Sequence, residues 1–225
     1  MLLETHLHTY LGSPCGKLSP TIIANLYDNK NYNGIVITEH YIDSVFSGYY
    51  PKGSFDFKMD TFLTSYEQLT RESKKFNIKI FLGMEIAINQ GTSDYLIYGI
   101  TKEFLKSNTY LYKLNQQQLF ELCQKNNLFM VQAHPFRKYI TVGDPLYMNG
   151  VEVYNGNKRH NSHNQKALLF AKKNNLKQFS GSDFHEKEDL GLGGIIVPNE
   201  IETNNDLVNY FFNNQPKLIK NGRIK

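Results

Sequence analysis

The sequence predicts an α/β protein in which helices cover a parallel sheet or barrel. Short apolar runs of strand length alternate along the chain with longer amphipathic runs of helical period. No internal repeat, low-complexity stretch or linker-like break interrupts this alternation, so we expect one domain over residues 1–225. Repeated βα units of this kind place the helices outside the sheet.

The first elements are marked by capping and turn signals. Residues 1–5 form a predicted strand, and a helix starts at Ser19-Pro20, because serine caps a helix and proline fits its first position. Residues 34–38 (GIVIT) do not alternate, which is typical of a buried parallel strand. Residues 41–57 are rich in Tyr, Gly and Phe without a clear period, so we expect a long loop there that closes over a substrate or packs against the barrel.

The remaining elements continue the same alternation. We expect helices over residues 59–76, 116–125, 161–173 and 204–212, with Asn115 as a cap for the second of them. The predicted strands cover residues 78–82, 95–99, 128–132, 151–154, 178–180 and 195–197.

Composition and charge exclude several classes of protein. An apolar fraction of 40% with 16 glycines is typical of a globular chain, not of a disordered one. No apolar run reaches the roughly 18 to 20 residues of a membrane span, so we expect no membrane partner. The formal net charge of +4 rests mostly on lysine, and no basic stripe with interleaved aromatic residues is present. A nucleic-acid partner is therefore not favoured, although it is not excluded.

The first residues and the cysteines predict where the protein works. Glu4, His6 and His8 lie where a signal peptide would keep its hydrophobic stretch. Cys15 and Cys123 are far apart and have no pairing pattern, which fits a reducing compartment. We therefore expect a cytoplasmic protein.

Metal-ligand residues follow several predicted strands. His6 and His8 are two residues apart, so on a strand both imidazoles point to the same side and form half of a transition-metal site. This pair alone is a weak signal, but further histidines and carboxylates follow the later strands: Glu39 with His40, Glu85, His134, and Asp183 with His185. Catalytic residues of parallel barrels lie at the C-terminal ends of strands. Imidazole and carboxylate together suit zinc, manganese or iron, and a central Glu85 can bridge two ions.

The ordered motifs HLHT, TEH, GMEI, QAHPFR, GVEVYN and GSDFH resemble those of the PHP (polymerase and histidinol phosphatase) superfamily, which contains metal-dependent phosphoesterases. The resemblance spans residues 6–185 in the right order. It implies a distorted seven-stranded (β/α)7 barrel, TIM-like and of the PHP type, that fills the single domain over residues 1–225. It also implies a di- or trinuclear metal centre at the C-terminal strand ends.

The resemblance assigns ligands by position. His6, His8, Glu85 and Asp183 match the ligands of one metal, and Glu85 bridges to a second metal that His134 also holds. His40 and His185 match two ligands of a third metal. We therefore expect two or three divalent ions of zinc, manganese or iron.

The chain departs from the family pattern at two positions. Where many members have an Asp or His shortly after the H-x-H motif, this chain reads GSPCGKLSP, so Cys15 or a water takes that place. Cys15 can equally be a turn residue beside Gly16. Where many members have a second-metal histidine, Leu96 stands.

Other residues have supporting or open interpretations. Arg137 can grip a phosphate oxygen with its guanidinium fork or form a surface ion pair. Glu152 and Glu39 are expected to support coordinating histidines, not to bind metal directly. His160 and His163 fall outside the pattern and are expected to be exposed helix residues.

The leading functional prediction is hydrolysis of a phosphate ester by a metal-activated hydroxide. Arg137 orients the phosphate, and Asp183 or His185 protonates the leaving group. A monoester, such as a small phosphorylated metabolite or a nucleotide, is the favoured substrate. Two alternatives stay open: an amidohydrolase-type metallohydrolase, against which Asp183-x-His185 argues, and a non-catalytic metal-binding accessory domain. The sequence does not predict an oligomeric state.

Overall fold

The computed structural model describes residues 1–88 and 92–224, and these residues form a mixed sheet of 11 strands with helices packed against it. The strands are β1 (Leu2–Glu4), β2 (Gly34–Ile37), β3 (His40–Tyr41), β4 (Lys79–Ile88), β5 (Ser93–Tyr98), β6 (Phe129–Gln132), β7 (Gly150–Asn155), β8 (Lys177–Gly181), β9 (Gly193–Ile196), β10 (Lys217–Lys220) and β11 (Arg223–Ile224). The α-helices are α1 (Pro20–Asn29), α2 (Phe55–Ser73), α3 (Lys102–Ser107), α4 (Gln116–Lys125), α5 (Asn164–Lys173) and α6 (Asn204–Asn213).

The sheet is a curled half-barrel, and the predicted seven-stranded (β/α)7 barrel is wrong in that form. Its strand order is β11-β10-β9-β1-β2-β4-β5-β6-β7-β8, and β3 pairs with β4 beside this path. β1, β2 and β4 are parallel, as are β6, β7 and β8, but β5 runs antiparallel to both β4 and β6. The reason is the short connection from Ile88 to Ser93, since a parallel pair needs a crossover of a dozen or more residues.

The curl brings the segments after β1 and β8 together. His8 N donates to Phe184 O at 2.9 Å, and Phe184 N donates to His6 O at 3.0 Å. These bonds surround an isolated parallel bridge between Leu7 and Phe184. As a result, the H-x-H motif and the motif with Asp183 and His185 lie side by side.

Several helix boundaries follow their capping residues. Ser19 accepts a hydrogen bond from Ile22 N and caps α1, and Asn115 forms a capping box with Gln118 at α4, as predicted. The predicted loop over residues 41–57 is shorter, because Ser54 caps α2 by accepting from Phe57 N. The rest of that segment contains β3 and a π-helical turn, Val45–Tyr49.

An aromatic cluster packs inside the curl. Tyr98 of β5 contacts Phe179 of β8 and Phe211 of α6, with ring centroids 5.7 and 5.5 Å apart, and all three are fully buried. The Tyr98 hydroxyl donates to Thr5 O at 3.1 Å, directly before His6. The core therefore supports the strand end that carries the first candidate ligands.

The helices in the described part of the chain all lack the combination of length and apolar character that a membrane span requires.

Candidate metal centre

Four predicted ligand residues from three chain segments converge on one buried point. His6 Nε2 lies 3.3 Å from Glu85 Oε1 and 3.4 Å from Asp183 Oδ1. His8 Nε2 lies 3.4 Å from Glu85 Oε2 and 3.6 Å from Asp183 Oδ1. These four side chains are almost completely shielded from solvent. The four side chains that the sequence groups around one metal therefore form a compact set of two imidazoles and two carboxylates.

Glu85 lies between two groups of histidines. Its Oε1 atom lies 3.0 Å from His134 Nε2, whereas its Oε2 atom lies 2.9 Å from His40 Nδ1. The sequence placed Glu85 after a strand that ends at residue 82, but β4 runs on to Ile88 because β3 and β5 pair with it on both sides. With one oxygen facing each group, Glu85 has the geometry of a bridging ligand.

The ligand atoms fall into three overlapping groups within which all atoms lie within 4.8 Å of one another. The groups are His6, Glu85 and His134; His6, His8 and Asp183; and His8, His40 and His185. These groups overlap with the ligand sets that the sequence predicts, but His6 joins Glu85 and His134, and His8 joins His40 and His185. The fold thus gathers every predicted imidazole and carboxylate ligand.

Two candidate ligands have unusual backbone conformations. His134 has a φ of 29° and Asp183 a φ of 52°, both on the positive side that residues other than glycine rarely adopt. His134 N donates to Glu152 Oε2 at 3.0 Å, and Asn157 Nδ2 donates to Asp183 O at 3.1 Å. Backbone strain of this kind persists where surrounding contacts fix it, and it clusters at functional sites.

Two buried carboxylates orient candidate histidine ligands, one by direct contact and one through a serine hydroxyl. Glu152 Oε1 lies 2.9 Å from His6 Nδ1, so it fixes the Nδ1–H tautomer and leaves Nε2 for a metal. Glu39 accepts from the Ser13 hydroxyl at 2.6 Å, and Ser13 Oγ lies 3.3 Å from His8 Nδ1. Both acids therefore act through other side chains, which is the supporting role expected for them.

The electrostatics of the centre are dominated by burial and by close opposite charges. Burial lowers the pKa of His6, but the carboxylates of Asp183 and Glu85 outweigh it and raise that pKa well above its usual value. The pKa of Glu85 and of Asp183 lies well below the usual range, because the neighbouring histidines outweigh burial. Burial, then the charges of His40 and His185, lower the pKa of His8 well below its usual value.

The donor set fits a divalent transition metal. His6 Nε2, His8 Nε2 and His134 Nδ1 are buried and have no hydrogen-bond partner among the described residues. A buried polar atom without a partner costs about 1–3 kcal/mol. A metal ion satisfies such nitrogens, and mixed imidazole and carboxylate ligands are those of zinc, manganese and iron sites.

Asp94 is a candidate ligand that the sequence did not reveal. Leu96 pairs directly with Glu85, and Asp94, two residues earlier on the same face of β5, lines the cavity with its Oδ2 atom 3.9 Å from His134 Nδ1. Burial, then the nearby Glu85, raise the pKa of Asp94 to about 6. The strand that the sequence predicts begins at residue 95, so its pattern does not include Asp94, whereas β5 begins at Ser93.

Arg137 pairs with a candidate ligand. Its NH2 group donates to Asp183 Oδ2 at 2.7 Å, to Asn155 Oδ1 at 3.0 Å and to Ser162 Oγ at 3.3 Å. The side chain is only 16% exposed, so the ion pair is not the surface pair considered from the sequence. Arg137 also lines the cavity over the centre, and a phosphate contact stays a prediction.

The cavity over the centre has a volume of about 290 Å³ and a cationic rim. Lys17 and Arg159 line it and pair with Glu186. His160 also lines it and is exposed as predicted, but it precedes α5 and does not lie on a helix. His163 is likewise exposed, at the left-handed residue before α5.

Cys15 lies at the same cavity and is exposed. Burial by the surrounding chain alone would raise the pKa of its thiol, but the nearby His185 and His40 outweigh burial and lower that pKa to about 6. His185 Nδ1 lies 2.8 Å from Asp183 O and donates to it, which leaves Nε2 of that ring for another partner. Cys15 thus lines the same cavity as the two histidines with which the sequence grouped it.

The chain resembles a known family profile and a solved structure. The chain matches the family profile PHP_C, described as PHP-associated, over residues 161–215. The chain is also similar in structure to a two-domain protein from Bacteroides vulgatus that contains a predicted PHP-like metal-dependent phosphoesterase. The superposition covers 100% of this chain and 66% of that protein, with a TM-score of 0.70 and 16% sequence identity. The profile match covers only part of the chain, and at this identity the structural likeness shows the fold.

Other solved structures share the fold of this chain. An amidohydrolase from Chromobacterium violaceum with bound sulfate has a TM-score of 0.56 and 15% identity, and 97% of each chain is covered. Endonuclease Q, in complex with a 27-mer duplex that carries an abasic lesion, has a TM-score of 0.59 and 13% identity, with 95% of this chain and 57% of that chain covered. No curated protein sequence matches the chain. At these identities the likeness shows the fold, and this chain spans only part of the length of the first and last of these proteins.

Proposed function

We propose that residues 1–225 form a metallohydrolase domain that hydrolyses phosphate esters, with small monoesters as the preferred substrates. The main support for this proposal is the position of Glu85, whose two carboxylate oxygens face separate groups of histidines. These groups include buried imidazole nitrogens without hydrogen-bond partners among the described residues. Bound divalent ions in such a centre supply Lewis acidity and an activated water nucleophile. The remaining contributions come from the side chains of the chain itself.

The supporting residues fix the ligands before a substrate arrives. Glu152 sets the tautomer of His6, and Ser13 links the carboxylate of Glu39 to His8. Arg137 holds Asp183 Oδ2, so the second oxygen, Oδ1, faces His6 and His8. Ligands whose orientation is already fixed lose little entropy when they bind a metal.

The two predicted proton donors are not equivalent. Asp183 is a poor donor because its pKa lies well below its usual range, the result of His6 and Arg137 outweighing burial. Burial lowers the pKa of His185, but its contacts with Cys15 and Asp183 outweigh burial and raise it. His185 is therefore the better proton donor whenever its Nε2 atom does not bind metal.

The cavity supports a small anionic substrate. Its volume of about 290 Å³ lies just below the usual range of ligand pockets, about 300–1,000 Å³, and so suits a small substrate. Lys17, Arg137 and Arg159 line it and provide cationic groups for a phosphate. Since endonuclease Q binds duplex DNA with the same fold, a nucleic-acid ester is the alternative substrate class.

An amidohydrolase is the second candidate function, favoured by the full-length likeness to the Chromobacterium violaceum protein. A non-catalytic metal-binding domain is the third. The three differ in substrate: phosphate esters in the first case, amides in the second, and neither in the third. A cytoplasmic location stays a prediction that cell fractionation checks.

A substrate screen tests the proposal. Protein that has been stripped with a chelator and reloaded with zinc, manganese or iron is assayed with p-nitrophenyl phosphate, its bis-ester, small phosphorylated metabolites, an abasic DNA duplex and simple amides. We expect metal-dependent release of phosphate from monoesters, lost in His8→Ala and retained in Glu121→Gln, an exposed surface control. Cleavage of amides alone, or of nothing by metal-loaded protein, would contradict the proposal.

A further inference from the structure

We propose that a second cavity binds a small planar aromatic molecule that carries a negative charge, such as a nucleotide or an aromatic acid. This cavity lies between the segment that leads from β3 into α2 and the turn before α4, and its volume is about 230 Å³. Among the described residues, none lines both this cavity and the cavity over the metal centre. Binding here is therefore separate from the proposed hydrolysis.

The walls of this second cavity are aromatic. Four rings line it, those of Phe46, Phe55, Tyr110 and Tyr112. The ring centroids of Phe46 and Phe55 lie 5.4 Å apart in a stacked arrangement, and those of Phe55 and Tyr110 lie 4.4 Å apart. Tyr112 continues the cluster, with its ring centroid 6.1 Å from that of Tyr110. Aromatic side chains in this arrangement offer faces and edges against which a further planar ring packs.

Two lysines line the same cavity and give it a positive charge. Lys113 Nζ lies 4.7 Å from the ring centroid of Tyr110, and Lys58 comes from the start of α2. Neither lysine forms an ion pair within the part of the chain that the structure describes. Asp43 is the single acidic residue among the described lining residues, so the two lysines exceed it by one positive charge. The charge of the lining therefore favours an anionic ligand.

The turn that carries Tyr110 has an unusual backbone. Tyr110 has a φ of 55° and a ψ of 35°, in the left-handed region, and its side chain is 43% exposed. The next residue, Leu111, is buried, and Lys113 N donates to Tyr110 O at 2.9 Å, so the turn presents Tyr110 and Lys113 together. Backbone strain of this kind clusters at ligand clamps. An aromatic ring that the fold fixes but leaves partly exposed is suited to pack against a ligand.

The opposite wall is firmly held. Phe46 is buried and packs against Tyr41, with ring centroids 4.7 Å apart. Its segment is tied to the loop after β1, since the Tyr50 hydroxyl donates to Gly12 O at 2.8 Å. Walls that are fixed in advance reduce the entropy lost on binding. The volume of about 230 Å³ lies below the usual pocket range of about 300–1,000 Å³, so the ligand has one or two fused rings.

Isothermal titration calorimetry of the full chain with naphthalene-2-sulfonate tests the inference. This probe combines two fused rings with an anion and contains no phosphate ester for the metal centre to cleave. We expect binding to weaken at least about fivefold in Tyr110→Ala, through the lost ring contact. We expect it to weaken about two- to fivefold in Lys113→Ala and further in Lys113→Glu. The uncharged 2-naphthol should bind more weakly than the sulfonate.

The chain offers a matched pair of control residues. Tyr139 also has a positive φ, of 71°, and Lys138 Nζ also lies 4.7 Å from its ring centroid, but neither residue lines the second cavity. Tyr139→Ala and Lys138→Ala should therefore bind the sulfonate as wild type does. Displacement of the probe by a phosphonate analogue of adenosine monophosphate would indicate a nucleotide as ligand, and displacement by phenylacetate an aromatic acid.

Several outcomes would overturn the inference. These are no measurable binding of the probe, equal binding by wild type, Tyr110→Ala and Lys113→Ala, or an equal loss in Tyr139→Ala. A loss in Lys17→Ala alone would place the probe in the cavity over the metal centre and would also overturn it. Equal binding of 2-naphthol and the sulfonate overturns the preference for an anion. Because Lys113 is exposed, its two variants decide the question even if urea denaturation shows that Tyr110→Ala is unfolded.

Discussion

Replacing Glu152 with glutamine changes one buried oxygen and leaves the shape of the side chain almost intact. In the wild-type protein, Oε1 accepts from His6 Nδ1 at 2.9 Å, whereas Oε2 accepts from His134 N at 3.0 Å and from Asn155 Nδ2 at 2.9 Å. Every partner of this carboxylate is a donor. An amide nitrogen therefore faces a donor whichever way the glutamine is turned.

The size of the effect follows from these contacts. Leaving a buried donor without an acceptor costs about 1–3 kcal/mol of unfolding free energy. If the amide faces His6, the ring loses the partner that fixes its tautomer, and losses of this kind reduce metal affinity by about 10- to 100-fold. If it faces His134 N, the strained backbone at that candidate ligand loses its support instead.

Two measurements on the same preparations check this prediction. Zinc affinity is measured by competition with a chromophoric chelator, and the free energy of unfolding by urea denaturation in the presence of chelator. Glu121→Gln is the matched control, because it makes the same chemical change on the exposed face of α4. Zinc affinity within about twofold of wild type in Glu152→Gln would refute the supporting role of this carboxylate.

Three further predictions test other parts of the centre. Gly12→Ala places a Cβ atom 2.3 Å from Glu39 Cδ, and we expect a loss of about 1–3 kcal/mol in urea denaturation; Gly48→Ala, with open space around it, is the control. Asp183→Ala should lower metal affinity by more than about a hundredfold and abolish hydrolysis, as measured by metal analysis and phosphate release; full activity would remove Asp183 from the centre. Zinc binding near neutral pH should release protons, because the pKa of His6 is raised well above 6.5 and its imidazole must lose a proton to bind zinc. A zinc affinity that does not rise between about pH 6.5 and 8 contradicts this prediction.

Much of the candidate centre was predictable because its signals are local. His6 and His8 are two residues apart and therefore face the same side of one strand. Other candidate ligands directly follow predicted strands, namely His40, His134 and Asp183. Both signals are properties of short segments. Strand ends of a curled sheet meet at one edge, so these local signals converge without knowledge of the pairing.

The missed features depend on pairing between distant segments. Asp94 is visible as a candidate ligand only once the antiparallel register of β4 and β5 places Leu96 opposite Glu85. The extension of β4 past residue 82 depends on β3 and β5 on either side of it. The departure from a closed barrel has the same origin, since β5 reverses direction between two parallel sets of strands.

The contact between Arg137 and Asp183 is also non-local, because 46 positions separate the two residues. From the sequence, Arg137 was equally suited to a phosphate or to a surface ion pair. The structure instead shows a largely buried pair with Asn155 and Ser162 as further acceptors. The sequence contains no pattern that identifies such a partner in advance.

The central claim is that the buried cluster around Glu85 binds divalent metal ions that hydrolysis requires. The most direct test is a titration of chelator-stripped protein with zinc or manganese, in which bound metal and the rate of phosphate release from p-nitrophenyl phosphate are measured on the same samples. We predict that the rate rises in step with the first metal equivalents and stays at background in His8→Ala. Hydrolysis by metal-free protein, or full metal binding and hydrolysis by His8→Ala, would contradict the claim.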